Sequence, residues 1–455
     1  MDKKIICALC AFVFFAACAY AEVALTVYNG NLALVKDSRE VSLKNGVQVL
    51  EFDDVAAFID PASVLPKFLN ENTQVKVLEQ NFDYDLVNTD KLLSKYIGRD
   101  IEIERVGEDK RGKLKGKLLS SSNGIVVQTD SKIVLNPKGE ISLSKLPEDL
   151  RLKPTLTWLV SSGFEGKNKM EVSYQTSGIS WSADYVLVTD EKDEKDEKAD
   201  ITGWVTVNNK SGAAYKDAKL KFIAGDVNMV RKYPSSGALR NKAFAADMPI
   251  AESAASFEEK SFFEYHIYEL QRKSTVKDNE IKQIEFASCS GFPVKKVFTY
   301  DGMKNGRKVT VTLDFKNSKE NGLGIPLPKG KVRVSKYDGG SMEFIGEDMI
   351  DHTAKDAKIS LNIGSAFDIT GERTQTSYKS ESKSSEESFK ITVKNGKDVP
   401  AEVNVVEKLY RRADWKIEKN SIPYVKKDSS TAEFLITVPA NGEKSFTYTV
   451  RYWWK

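Results

Sequence analysis

Between Ser177 and Val188 the chain reads SGISWSADYVLV. Ile179, Trp181, Ala183, Tyr185 and Leu187 fall on one side, and Ser180, Ser182 and Asp184 on the other. A period of two is the spacing of a half-buried strand, because successive side chains leave a strand on opposite faces. Ile201 to Asn208 (ITGWVTVN) alternates in the same way after a charged tip. The two stretches read as a hairpin whose apolar face needs a second layer to cover it. That requirement points to a β-sandwich.

Composition agrees. The 455 residues suffice for two to four domains, and Tyr 17, Phe 22 and Trp 6, with recurrent Val, Ile and Thr, favour strands. Lys+Arg 68 against Asp+Glu 65 leaves a net charge of +3, too balanced to make nucleic acid the expected partner.

The first residues read as an export signal. Lys3 and Lys4 precede the apolar run Ile5 to Ala17, and Ala19-Tyr20-Ala21 before Glu22 fits a small-residue cleavage site. The run falls short of the ~20 apolar residues that a membrane span needs. Phe15-Ala16-Ala17-Cys18 resembles a lipobox, so acylation at Cys18 stands as the alternative to soluble export. The expected location is periplasmic or extracellular, with a membrane contact only through such an N-terminal lipid. Of the four cysteines, cleavage before Glu22 leaves only Cys289, so an intrachain disulfide is not expected.

The residues divide the chain into a signal peptide (1–21), a strand-rich region (22–88), a small barrel (89–146), a β-sandwich domain (147–232), a mobile linker (233–260) and a C-terminal β-sandwich region (261–455). In the first region, Asn29-Gly30 and Asn45-Gly46 each sit between alternating runs and predict two tight hairpins. In the small unit, a helix at Lys91 to Ile97 precedes five short strands. These are Asp100 to Val106, Gly112 to Ser120, Gly124 to Thr129, Lys132 to Leu135 and Gly139 to Leu143, an order that suggests an SH3-like or Sm-like barrel. Lys113, Lys115 and Lys117 read as the solvated face of a strand that turns Leu114 and Leu118 inward. Ig-like sandwiches are expected after it. Arg373 to Glu387, rich in Ser, Lys and Glu, reads as a long exposed hairpin tip.

Chemistry-bearing motifs are scarce. With only His266 and His352, triads and histidine-rich metal sites are short of parts. His266, on an aromatic strand, reads as structural. Asp348, Asp351 and His352 are weak metal candidates with no recognised spacing. Ser142 to Lys145 and Ser274 to Lys277 match S-x-x-K without its companion motifs. Paired carboxylates remain open as an enzymatic route, because the fold and not the spacing sets them. Among the tryptophans, Trp158, Trp181, Trp204, Trp453 and Trp454 read mostly as core. Trp415, flanked by Arg411, Arg412, Asp414 and Lys416, reads as a loop or edge residue and is the weak ligand-binding candidate.

Several segments in order resemble the bacterial family catalogued as domain of unknown function 4139, whose longer relatives are labelled mucoidy inhibitor A-like. They are SGISWSADYVLV with GWVTVNNKSGAAYKDAKLKFIAGDVN, then YHIYEL, PLPKGKVRV, EFIGEDMIDHT and VKNGKDVPAEVNVVEKL. The resemblance implies an exported, β-rich protein. It implies no reaction and no site residue. The expectation is a non-enzymatic envelope or secreted interaction protein, without cofactor, whose partner is a protein or a glycan. A carbohydrate-binding or carbohydrate-acting protein is the first alternative, and an Asp/Glu- or metal-dependent hydrolase the second. Intact-mass analysis of the exported chain is expected to find Glu22 at its N-terminus; a start at Cys18 with added acyl mass would replace soluble export by lipid anchoring.

Overall fold

The computed structural model describes residues 22–454, apart from 71–73, 106–111, 148, 191–196, 226–256, 263–264, 339 and 410–412. Cys18 therefore lies outside the described residues. The fold is mainly β, built of several sheets. Among the described residues no helix is long and apolar enough to cross a membrane. The chain forms two compact units, one drawn from Met1–Ser180, Asn208–Lys221 and Lys273–Glu280, the other from Trp181–Val207, Phe222–Arg272 and Ile281–Lys455.

In the first unit, Glu22–Tyr28 pairs with Leu32–Leu43 in the expected hairpin, but the loop is the three residues 29–31 with Asn31 at φ +57°, not the two-residue turn that Asn29-Gly30 signals. The second expected hairpin does not form. Leu32–Leu43 is a single strand that pairs along Gly166–Thr176, while Gly46–Asp53 joins Thr155–Ser162 in a separate three-stranded sheet completed by Val75–Asp83. Gly46, at φ +100°, turns the chain out of one sheet into the other. The guanidinium of Arg39 from the first sheet lies 3.9 Å from the Phe52 ring centroid in the second, and Arg39 Nη1 donates to the Asp53 carbonyl at 2.7 Å.

In the small unit the expected helix and five strands are present. Helix Thr89–Lys95, capped by Asn88 accepting from the Lys91 amide, precedes strands Asp100–Arg105, Gly112–Ser120, Val126–Gln128, Ile133–Leu135 and Glu140–Ser142. The last strand returns to pair beside the first. Leu118 is buried and Leu114 half-buried, whereas Lys113, Lys115 and Lys117 are exposed. Lys113 and Lys115 both reach Glu102, at 2.5 and 3.3 Å.

In the second unit, Ile179–Asp190 alternates buried and accessible along its length. On one flank it neighbours Lys198–Asn209; on the other it pairs in parallel with Gly330–Asp338. A Cβ at Gly330 would lie 2.3 Å from the Ala183 carbonyl oxygen, so this close approach requires glycine. Trp181 packs on Phe222 and Tyr268, with ring centroids 5.6 and 6.3 Å away, and its Nε1 donates to the Ile223 carbonyl. The linker expected over 233–260 lies outside the described residues up to 256. From Phe257 it is a strand, paired with Tyr265–Leu270 and fixed by Phe257 against Phe222.

The C-terminal sheet of nine strands turns on Lys358–Ser380. Its first part pairs with Lys308–Lys316 and its second with Ser384–Asn395, with register shifts and Gly364 at φ +143° between them. One strand thereby serves two faces of a single core, in the way a bulged strand turns a sandwich corner. Arg373 to Glu387 is, as read, a long hairpin whose tip is exposed over residues 374–383; at its base Arg373 and Glu387 turn inward. Arg373 Nε donates to both oxygens of Glu407, at 3.2 and 3.0 Å, and Tyr448 donates to the same carboxylate at 2.5 Å. Burial pushes the Glu407 carboxyl up, against the opposing pull of Arg373 and Tyr448. Gly371 makes room for the Tyr300 ring, which a Cβ there would meet at 2.2 Å.

Arg373→Met is expected to cost about 3–5 kcal/mol, because it strands a buried carboxylate, while Arg373→Met with Glu407→Leu should regain most of the loss. The single variant's Glu407 has a folded-state pKa above its unfolded one. It binds its proton first in the folded state, so the deficit in urea unfolding should shrink as pH falls.

Candidate functional site

The outer face of the C-terminal sheet carries a depression of about 860 Å³. Its position follows from strand alternation. On Ala401–Lys408, residues 401, 403, 405 and 407 are buried, which leaves Glu402, Asn404 and Val406 facing out. On Thr431–Val438, residues 432, 434, 436 and 438 are buried, and Leu435 stays 62% exposed. Lys295–Tyr300 lies parallel to Ala401–Lys408, with Thr299 opposite Asn404, and Asn404 is in turn opposite Leu435. On the other flank, Lys295 is opposite Asp314 and Asp314 opposite Ser360. The result is a shallow groove, polar on the side of Asp314 and Ser360 and apolar on the side of Val406, Leu435 and Val425.

The charges within it are paired. Asp314 bonds to Lys358 at 2.5 Å, and accepts from Ser360 at 2.6 Å and Thr312 at 3.0 Å. Burial works to raise the Asp314 carboxyl, but these partners outweigh it and hold the group below the usual carboxylate range. Glu402 lies 3.8 Å from Lys295, and Glu433 lies 3.8 Å from Lys427. The Lys397 ammonium sits 4.9 Å from the Phe298 ring centroid.

This arrangement suits binding better than proton transfer. A general acid needs a raised pKa and access to substrate. Among the described residues, burial leaves the Glu407 and Glu197 carboxyls raised, but Glu407 is 0% and Glu197 7% exposed. In the groove itself Asp314 shifts the other way.

The sequence candidates lie elsewhere. Trp415 belongs to Asp414–Asn420, an edge strand, but its side chain is only 8% exposed. Its Nε1 donates to the Ser429 carbonyl at 2.6 Å, and Lys426 covers its ring at 4.4 Å. It is a core residue and offers no open stacking face, because the strand's alternation turns it inward. Asp348 accepts from the Asn362 and Met349 amides, the Asp351 side chain is 95% exposed, and His352 Nδ1 accepts from the Lys329 amide. Among the described residues, no three His, Cys, Asp or Glu side chains gather to hold a metal ion. His266 Nδ1 lies 2.7 Å from Glu259 Oε1 across its hairpin. Cys289 donates to the Asn321 carbonyl, and burial pushes its thiol up, away from reactivity. Trp158 donates to Gln80 within its sheet, whereas Trp453 and Trp454 are 38% and 41% exposed.

The groove went unread because its strands meet through a parallel pairing between segments about a hundred residues apart. The local signal, outward Lys and Glu on alternating strands, is common to any solvated sheet. No family model and no curated protein sequence matches the chain.

Asp314→Asn should destabilise the chain by about 1–2 kcal/mol at neutral pH, with part of the ion-pair energy lost to solvent screening. The folded-state pKa is depressed, so this contribution is present above the ordinary value of 3.8 and disappears as pH falls through the folded value. Urea unfolding of both proteins across the acid range should converge at the lowest pH.

Proposed function

We propose that the chain is an exported, non-enzymatic interaction protein of the cell envelope or secreted fraction, which engages an extended acidic polypeptide along the groove of its C-terminal sheet. The carrying observation is the groove's pairing of an exposed apolar strip with fixed charges. Lysines 295, 296, 358, 397 and 427 give five positive charges. Asp314, Glu402 and Glu433 give three negative ones, so the lining is net +2 (5 − 3). Complementary charge would steer an acidic segment into register, and Leu435 and Val425, 62% and 65% exposed, would contribute apolar burial.

The family resemblance to domain of unknown function 4139 fits this reading, as does the export signal. The inverse order of the small sheet, with its last strand beside its first, supports an SH3-like or Sm-like unit here. The corner-turning nine-stranded sheet supports an Ig-like sandwich. In both, the scaffold presents a surface and the chemistry is recognition.

A photo-crosslinking side chain at position 435 is expected to yield discrete adducts in cells exporting the protein. The same group at Ile281, also 65% exposed, should not. Lys295→Glu with Lys427→Glu should weaken the adducts about fivefold, since the steering charge is reversed. An adduct-free chain, or equal labelling from both positions, would remove the reading.

A further inference from the structure

In the first unit, the chain leaves strand Val75–Asp83 as Phe82-Asp83-Tyr84-Asp85. The rings of Phe82 and Tyr84 stack on each other, with centroids 5.5 Å apart and planes 28° apart. Phe82 is half-buried, whereas Tyr84 is 67% exposed. These residues, with Asp149 and Arg151, line a hollow of about 400 Å³.

The rim is held in place. Asp83 Oδ2 accepts from Thr157 at 2.9 Å and from Arg151 at 3.2 Å, and Arg151 also reaches Glu51 at 3.0 Å. The backbone is clamped too, since the Arg151 amide donates to the Asp85 carbonyl and the Val87 amide to the Arg151 carbonyl. Asp85 and Asp149 are ion-paired with Lys91 and Lys95. An exposed large ring on such a fixed base, beside a hollow edged by hydrogen-bonding groups, is an aromatic platform with polar groups around it.

We propose that this hollow is a binding subsite for a neutral, gluco-configured sugar. Tyr84 lies against Phe82 and is 67% exposed, which leaves ring surface as a platform. A pyranose whose hydroxyls are all equatorial presents a C–H face of matching shape, and such a face stacks on an aromatic ring. Its hydroxyls then meet carboxylate oxygens as acceptors and the Arg151 guanidinium as donor. The cations beside the hollow, Arg151, Lys91 and Lys95, are already paired with its carboxylates, so none is left over for an anionic ligand. A quaternary ammonium needs several aromatic walls around it, and here the second ring is spent on stacking the first. The subsite is separate from the groove and does not rest on that reading.

The test is titration of the full chain with cellohexaose, followed by saturation-transfer NMR, beside a β-1,4-linked galactose hexamer and tetramethylammonium chloride. Cellohexaose should bind, with transfer strongest to the axial ring protons. Tyr84→Ala should weaken binding about tenfold, while Tyr84→Phe keeps it, because the ring face and not the hydroxyl makes the contact. Leu435→Glu, in the groove, should leave it unchanged. An unaltered unfolding midpoint for Tyr84→Ala separates lost binding from lost folding. No binding of cellohexaose, binding insensitive to Tyr84→Ala, equal binding of the galactose hexamer, or tetramethylammonium binding in its place would each overturn the proposal.

Discussion

A carboxylate buried between two layers sets the geometry of the C-terminal domain. Glu407 and its strand belong to one face of the core, and Arg373 and Tyr448 to the other. Removing these groups from water costs several kcal/mol per ion, and their attraction offsets that only when distance and direction are right. The layers must therefore sit where Arg373 can grip both Glu407 oxygens and Tyr448 can donate to one of them. Phe389 stacks beneath the guanidinium at 3.7 Å and fixes its plane. The turn of the long strand Lys358–Ser380 brings Arg373 to this partner.

The same core holds an uncompensated group. Among the described residues the Tyr300 hydroxyl has no hydrogen-bond partner, and burial pushes its pKa up to about 12. It lies within the electrostatic reach of Glu407 and Arg373, whose hydrogen bonds to each other and to Tyr448 are already made. An unpaired buried hydroxyl costs about 1–3 kcal/mol. The ring itself is accommodated by Gly371, so its packing is retained at the expense of its polar end.

Where contacts are local, the fold was legible. The alternation of Ser177 to Val188 assigns every side chain of that strand to its face, and the small sheet's turns mark its five strands nearly residue by residue. Legibility failed where distant segments compete for one strand. Asn45-Gly46 is a sound hairpin signal, but Leu32–Leu43 finds a longer partner in Gly166–Thr176. Arg373 to Glu387 was legible as an exposed hairpin, but the inward turn of Arg373 at its base was not, because it depends on Glu407, 34 residues away. Trp415 has polar neighbours on both sides in sequence, yet alternation alone turns it inward. Neither the groove nor the Phe82–Tyr84 platform carries a motif. Both are made by strand neighbours that no local pattern specifies.

Alternation also underlies the proposal of recognition for this domain. A strand that commits every second residue to the core leaves the others free to vary. On the outer face those residues form rows across several strands, spaced by the sheet itself. Thr299, Asn404 and Leu435 are one such row. A row of this kind is rigid, since its backbone is locked by ladders on both sides, and binding loses little side-chain order there. Chemistry asks for more: a group out of its ordinary protonation state and open to substrate at once. Here the two conditions are separated by the sheet. The raised Glu407 lies on the inner face of Ala401–Lys408, and the accessible Glu402 and Asn404 lie on the outer face of the same strand. The period of two that builds the core thus keeps its perturbed carboxylate out of reach of the outer face on which a partner is proposed to bind.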